Sequence, residues 1–468
     1  PNIKSFRRQM GLQANKLAEQ LGISPSYLNL IEGGKRKIDG DLLLKVCDKL
    51  NIELSDLTSK SDLNLENNIM EILDDSLFED LDILGPEVKD LASTNPKIGR
   101  ALVRLGDILK KKDHELVNKI ETLSGKIVDS RKNSFPGETV SDFLQENKNY
   151  FPKLEEFANE VFDEVHNNNR TRYIALCEFL RLKYSISVKD IIPEDGKPFT
   201  KIYKKNRKEL LLSDYNSLET KKLYAAAQIA QEGAENIIEG YLSNYNFPSA
   251  ESRKLTKVAL LNYCGAAILM PYKLFHTECK KLKYDLELLQ NTFATSFEQV
   301  AHRVTCLQDP KLPGIPFHFL RVDMAGNISK RFSLSGIDIP RYGGACPRWN
   351  VYSAFTRPGV IQAAVSKMTN GEKYVCIART VEKGIGRFGQ AKSVLSIGLG
   401  CEAKYAKDFV YTENININDK STEIPIGVSC RTCDRLDCSQ RAFPPLHKKF
   451  DVDLNTRGVS VYVSDNNS

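Results

Sequence analysis

Leu17-Ala18-Glu19-Gln20-Leu21-Gly22-Ile23-Ser24-Pro25-Ser26-Tyr27-Leu28 contains a complete turn between two short helices. Gly22 permits the left-handed backbone that ends a helix, and Ser24 with Pro25 supplies an N-cap and a first-turn proline for the next one. Leu17, Leu21, Ile23, Leu28 and Ile31 give both helices apolar faces. The pattern predicts two helices set at an angle, with Ser24, Ser26, Tyr27 and Asn29 on or near the exposed N-terminal end of the second. Such an end fits the major groove of a DNA duplex. Lys35, Arg36 and Lys37 follow in the next loop, where phosphate contacts add salt-dependent affinity.

Around this motif lies a chain of 468 residues, long enough for about three domains. It is 41% hydrophobic and 27% charged, a globular composition, and its most apolar helical stretch, Val258 to Pro271, is short and contains Asn262. No charged start precedes an apolar block and a small-residue cleavage site, so the sequence reads as cytoplasmic, with no membrane partner. A net charge of +6 excludes a histone-like polycation and requires any nucleic-acid contact to be local. Eleven cysteines in such a chain point to thiols or metal ligands rather than disulfides.

Periodicity divides the chain into four parts. Residues 1–57 carry the helical turn. Residues 58–139 read as a helical connector, in which Ile69, Ile72 and Leu73, and then Ile98, Leu102, Leu105 and Leu109, recur at helical spacing. The turn-rich Ser130 to Gly137 closes it. Residues 140–308 alternate long helical patterns with a strand-like Phe199 to Leu212. Residues 309–468 switch to short strand-like runs such as Phe317 to Val322 and Tyr374 to Ala378, which mark an α+β domain. The expected fold is multidomain and mainly α over its first two thirds.

The strongest chemical pattern is Cys430-x2-Cys433-x4-Cys438. Three thiols within nine residues are a donor set for a soft metal centre, a [4Fe-4S] cluster or alternatively zinc. The fourth thiolate comes from Cys401 or Cys346, each preceded by glycines. Arg431, Arg435 and Arg441 are placed to offset thiolate charge. Cys47, Cys177, Cys264, Cys279, Cys306 and Cys376 read as small core hydrophobes.

Three resemblances follow from these residues. Ile3 to Leu57, with Tyr27-Leu28-Asn29-Leu30-Ile31-Glu32 and Leu50-Asn51-Ile52, resembles the Cro/repressor-like (XRE, lambda-repressor-like) helix-turn-helix family. That implies base reading from the second quoted helix. The family commonly opens the preceding helix with Thr-Gln, whereas here Gln13 is followed by Ala14, leaving Gln13 as the candidate for the bracing contact. Residues ~140 to ~308 resemble the ImmA/IrrE metallopeptidase domain, an α+β fold, through Ala266 to Pro271 and Phe293 to Val304. The His-Glu-x-x-His helix that zinc needs is absent: the corresponding residues read Ala227-Gln228-Ile229-Ala230-Gln231, and the family's acidic ligand falls at Leu260. An inactive peptidase-like module is expected, with His302 in a structural hydrogen-bonding role.

The order of these parts, ending in Cys430 to Pro444, together with Arg321 to Arg331 and Gly343-Gly344-Ala345-Cys346-Pro347-x-Trp349, resembles the short-chain fatty acyl transcriptional regulator family. The resemblance implies a regulator of short-chain acyl-CoA metabolism (propionate/methylcitrate, glyoxylate or ethylmalonyl-CoA), an acyl-CoA effector and, in some relatives, an iron–sulfur cluster; a homodimer on a double-stranded DNA operator is the expected working form. A coenzyme A site needs cations for phosphates and an apolar slot for the acyl group. Arg321, Lys330, Arg331, Arg341, Arg348, Trp349 and Arg357 are the candidates, on a GAF-like sheet flanked by helices. Two other readings compete: an iron–sulfur redox or oxygen sensor with no organic ligand, and an enzyme acting on peptides or acyl-CoA. No catalytic residue is found for the last.

Overall fold

The computed structural model describes Arg7 and residues 12–32, 36, 39, 42, 45–46, 49, 61–73, 83, 85–106, 136–166, 172–194, 199–340, 344–384, 392–433, 435, 437–444 and 459. The chain divides into two compact units, Pro1–Val128 with Cys430–Ser468, and Asp129–Ser429.

In the first unit, Ala14–Leu21 and Pro25–Glu32 are helices. Gly22 ends the first at φ +69°, and the Ser24 hydroxyl caps the second by accepting the Tyr27 N–H at 3.2 Å. Leu17, Ala18, Leu21, Leu28, Ile31 and Val46 close a small core. The connector is helical: Ser61–Leu73 packs on Gly85–Thr94 through Leu65, Ile69, Met70, Val88 and Ala92. A further helix across 96–106 approaches the first so closely that a Cβ at Gly99 would lie 2.9 Å from Ile69 and one at Gly106 2.5 Å from Ile72. Gly99 and Gly106 therefore set the inner face, with Leu102 and Val103 beside them. Ile98 and Leu105, expected within the apolar face, are turned outward and are 58% and 54% exposed.

In the second unit, Pro136 and Gly137 do not belong to a turn as expected but open the helix Pro136–Glu146, since proline's missing N–H costs nothing at a first helical position. The helices Pro152–His166 and Arg172–Tyr184 follow. A small sheet comes next, of β1 (Ser187–Ile191), β2 (Lys201–Lys204) and β3 (Glu209–Ser213), in the order β1-β3-β2. The helices Leu218–Gly233 and Ala250–Leu269 press together at Gly265, where a Cβ would meet the Ala227 nitrogen at 2.9 Å. Ser217, Ser249, Asp285 and Ser296 cap the helices they precede, each accepting a backbone N–H.

The larger sheet has six strands: β4 (His318–Asp323), β5 (Ile328–Ser333), β6 (Gln362–Lys367), β7 (Lys373–Lys383), β8 (Ser393–Glu402) and β9 (Glu423–Pro425). Their order is β5-β4-β8-β7-β6-β9, antiparallel except where β6 meets β9. Alternation sends successive side chains to opposite faces. One face, with Phe319, Phe332, Val375, Ile377, Ile397, Leu399 and Cys401, shares a continuous core with the helices from Phe143 to Leu307. The other, with Leu320, Val322, Tyr374, Cys376 and Ala378, packs on Trp349, Val351 and Ile426. Within the first core, Arg303 forks onto Glu155 at 2.6 and 2.7 Å, both side chains buried. Among the described residues, no single helix is long and apolar enough to cross a membrane.

Candidate functional site

The Pro25–Glu32 helix presents Ser24, Ser26 and Asn29 to solvent, with Tyr27 half-buried. The Arg36 guanidinium lies 5.1 Å from the centre of the Tyr27 ring, so a cation and an aromatic share one patch at the start of this helix. Gln13 is exposed at the start of the Ala14–Leu21 helix and makes no side-chain cap. Lys35 and Lys37 lie outside the described residues. Arg7 fixes the orientation of the helix by a two-pronged pair to Glu32 and by donating to the Leu12 carbonyl at 2.9 Å. A capped helix with exposed polar side chains toward its leading end is the arrangement that helix-turn-helix domains use to read base edges.

The peptidase-like residues carry no zinc geometry. Ala227, at the first ligand position, is packed against Gly265, Leu260 is buried in the apolar core, and Gln228 is fully buried with its amide donating to Glu232 at 2.9 Å. His302 packs edge-on against Phe319 at 5.6 Å between centroids. Burial, reinforced by nearby Lys330, pushes its pKa down to about 3, so the ring is neutral.

The large sheet separates the candidate acyl-CoA residues. On the helix-packed face, Arg321 donates to Glu298 at 2.9 Å and Lys330 to the same oxygen at 3.4 Å. Arg331, across from Leu320 in the strand register and so on the opposite face, pairs with Glu138 and donates to the Ile339 carbonyl at 3.4 Å. On the other face, the Trp349 indole N–H donates to the Gly427 carbonyl at 2.9 Å. Arg348 is half-buried and Arg357 exposed; Arg341 lies outside the described residues.

Behind Trp349 is a cavity of about 20 Å³, lined by Leu320, Ile337, Val351, Leu399 and Ile426 with His318, Asn350, Ser366 and Cys376 as its polar members. His318 Nδ1 lies 2.8 Å from the Ser335 hydroxyl and its Nε2 3.5 Å from the Cys376 sulfur. Burial holds the His318 imidazole down at about 3 and pushes the Cys376 thiol up to about 12, so both are neutral. Gly400 makes the arrangement possible, because a Cβ there would meet the His318 ring at 2.5 Å. Sequence reasoning missed His318, Ser335 and Cys376. Only the strand pairing of Cys376 with Gly400 and of His318 with Gly400 brings them together.

The two candidate fourth cysteines stand on opposite faces of the sheet: Cys401 in the core shared with the helices, Cys346 in the cluster around Trp349. The Cys346 N–H donates to the Val428 carbonyl at 2.9 Å. Cys430 and Cys438 are half-buried and Cys433 is buried. Arg441 sits inside their loop and donates to the carbonyls of Cys430 at 2.8 Å, Cys433 at 2.6 Å and Phe443 at 3.1 Å, and to that of Arg435. It is thus a brace for the loop, beyond the charge-balancing role read from sequence. Arg431 lies 4.8 Å from the centre of the Phe443 ring. Burial raises the Cys433 thiol, opposed by the Arg435 N–H and by the charges of Arg441 and Arg435. The donor set suits a soft metal. As placed, however, no three His, Cys, Asp or Glu groups among the described residues gather closely enough to hold one, so the loop does not fit a metal centre in this conformation. Cys264, Cys279, Cys306 and Cys376 are buried and Cys177 half-buried; Cys47 lies outside the described residues.

Comparison with known proteins matches these parts in the same order. Residues 3–57 match the family described as Helix-turn-helix, 182–305 the IrrE N-terminal-like domain, and 306–462 the Short-chain fatty acyl coenzyme A regulator, C-terminal. The chain is 33% identical over 471 residues to the HTH-type transcriptional regulator RamB of Mycobacterium tuberculosis, covering 98% of this chain and 97% of that one. It is 32% identical over 469 residues to PrpR of the same organism, covering 100% and 96%. It is 33% identical over 464 residues to the propionyl-CoA carboxylase regulator of Cereibacter sphaeroides, covering 98% and 97%. A solved Mycobacterium tuberculosis transcriptional regulator superposes with a TM-score of 0.66 at 35% identity, over 71% of this chain and 100% of that one. With a capped reading helix at one end and this sheet domain toward the other, the chain belongs to the short-chain fatty acyl coenzyme A regulator family of helix-turn-helix transcriptional regulators.

Proposed function

We propose that the protein binds a double-stranded operator as a homodimer in the cytoplasm, and that a short-chain acyl-CoA taken up by its C-terminal sheet domain sets its affinity for that operator. The observation that carries this reading is the cavity behind Trp349. It is apolar on most sides, has a few fixed polar groups, and lies in a domain matching the acyl coenzyme A regulator family. About 20 Å³ holds one water-sized group, which is room for the methyl tip of an acyl chain. The Cereibacter sphaeroides relative is named for propionyl-CoA carboxylase, which supports a reading within short-chain acyl-CoA metabolism. The peptidase-like residues act as scaffold, without catalysis. The test is an operator gel shift titrated with acetyl-, propionyl- and butyryl-CoA. A change in operator affinity with one of them supports the reading, and no change with any of them rejects it.

A second proposal rests on the loop braced by Arg441. Cys430, Cys433 and Cys438 would be the protein ligands of a [4Fe-4S] cluster, with zinc the alternative, and a metal centre there requires the loop to close further than it does in this structure.

A further inference from the structure

Glu298 is the meeting point of three cations. Arg321 reaches its Oε1 at 2.9 Å and Lys330 the same oxygen at 3.4 Å, while Lys383 pairs with Oε2. They come from three strands, β4, β5 and β7, and Glu298 from the first turn of the helix Phe297–Val304. Elsewhere on this sheet a carboxylate takes one or two cations, as in Arg379 with Glu287, Arg331 with Glu138, and Lys367 and Lys373 with Glu423. His302, one turn further on, is neutral and adds no charge of either sign. The cluster therefore holds a surplus of two positive charges around one carboxylate.

That surplus has local consequences. Burial favours the neutral Glu298 carboxyl, but Lys330, Lys383 and Arg321 outweigh it and hold its pKa down at about 2. One carboxylate does not saturate these cations. Arg321 is pre-aimed, because its Nε donates to the Ser329 hydroxyl at 2.8 Å. The Lys330 and Lys383 side chains are 48% and 47% exposed against 10% for Glu298, so the cluster opens to solvent on its lysine side.

We infer that Arg321, Lys330 and Lys383 form a phosphate site on the helix-packed face of the sheet, separate from the cavity behind Trp349 on the other face, in which Glu298 is the resident anion, displaced by the phosphates of coenzyme A. A phosphate group carries more charge and more acceptor oxygens than a carboxylate, and both arginine and lysine bind it well. The naming of coenzyme A rests on the acyl-CoA reading above; the phosphate site itself does not. Release of Glu298 unfastens the first turn of the Phe297–Val304 helix from the sheet, which gives a bound ligand a mechanical effect on the helical layer.

The test is titration calorimetry on the full-length protein with coenzyme A and, separately, inorganic pyrophosphate. Glu298→Gln keeps the shape and removes the competing charge, and should tighten both ligands by about five-fold; Lys330→Ala and Lys383→Ala should each weaken both by about five-fold. Glu413→Gln, which removes one charge from the exposed pair with Lys283, controls for net charge and should leave both affinities unchanged. Thermal melts establish that each variant is folded. If wild type binds coenzyme A but the three cluster variants leave both affinities unchanged, the phosphate site is overturned and the effector reading stands. If coenzyme A fails to bind while pyrophosphate follows the variants as stated, the effector reading falls and the phosphate site stands. Equal tightening by Glu298→Gln and Glu413→Gln overturns the exchange.

Discussion

Arg7 grips Glu32 with two parallel hydrogen bonds, Nε to Oε1 at 2.7 Å and Nη2 to Oε2 at 2.8 Å, and the side chains are only 10% and 3% exposed. The pair ties the chain ahead of the helix-turn-helix to the last residue of its reading helix, so the helix has one orientation relative to its core. Removing one member of a pair this well covered leaves the other charge without its partner, at a cost of about 2 kcal/mol or more. Arg7→Met should therefore weaken operator binding at least ten-fold and sensitise the first ~60 residues to limited proteolysis. An Arg7→Met protein with wild-type gel shifts and protease resistance would contradict the role given to this pair.

Asn29 and Arg36 should fail in different ways. Asn29 is exposed on the reading helix and suits base-edge contact, so Asn29→Ala should cost about 1–3 kcal/mol on the best operator and little on random duplex. Arg36 stacks on Tyr27 and suits phosphate, so Arg36→Ala should weaken all sequences alike and reduce the slope of log affinity against log salt by about 0.9. Gel shifts on specific and random DNA over a salt series separate the two. The assignment fails if the two variants behave alike.

Acid should destabilise the second unit through its neutral histidines. The His318 imidazole is pushed by burial from 6.5 to about 3. Its folded pKa is lower than its unfolded one, so its contribution is whole above about pH 6.5 and is lost as pH falls towards 3. At about pH 5 the loss is about 2 kcal/mol. His302, also held near 3, acts in the same direction. Urea melts of His318→Gln should lose less stability between pH 7 and pH 5 than wild type. Identical pH dependence would remove His318 as a cause.

The buried Glu155 and Arg303 pair makes a larger claim on stability. Tyr263 also donates to Glu155, and Arg303 Nε donates to the Met270 carbonyl at 3.0 Å. Glu155→Gln leaves a buried guanidinium with its charge uncompensated, at about 3 kcal/mol. The double variant Glu155→Gln with Arg303→Met should lose less than the sum of the two single changes. Strict additivity in denaturant melts would mean the pair is not coupled as drawn.

Anaerobically purified wild-type protein should carry iron and sulfide, and Cys433→Ser should lose both. Arg441→Lys keeps the charge but cannot reach the same carbonyls, and should lower cluster content without altering the melt of the second unit. Zinc without iron would select the alternative metal, and neither metal would reject the second proposal.

Much of the fold is legible in the sequence because local chemistry dictates it. Gly22, Ser24 and Pro25 encode their own turn, and the strand-like runs at Phe317 to Val322 and Tyr374 to Ala378 become parts of β4 and β7. What is not legible depends on pairing between distant strands. Arg321 and Trp349 look like neighbours in a basic, aromatic stretch, yet the sheet places them on opposite faces. The His318 and Cys376 contact beside the cavity needs Gly400 as well, from three strands in all, and the cation cluster needs Lys383, far along β7 with no local motif to mark it. Ile98 and Leu105 mislead because glycines at 99 and 106, and not the larger apolar residues, define the contact face of their helix.

The central claim is that acyl-CoA and operator DNA bind to coupled states of one protein, and coupling is reciprocal. The direct measurement is the dissociation constant of the active short-chain acyl-CoA with and without saturating operator, set beside that of operator with and without saturating acyl-CoA. The account predicts that both ratios differ from one and equal each other. Two tight but independent binding events, with both ratios equal to one, would contradict it.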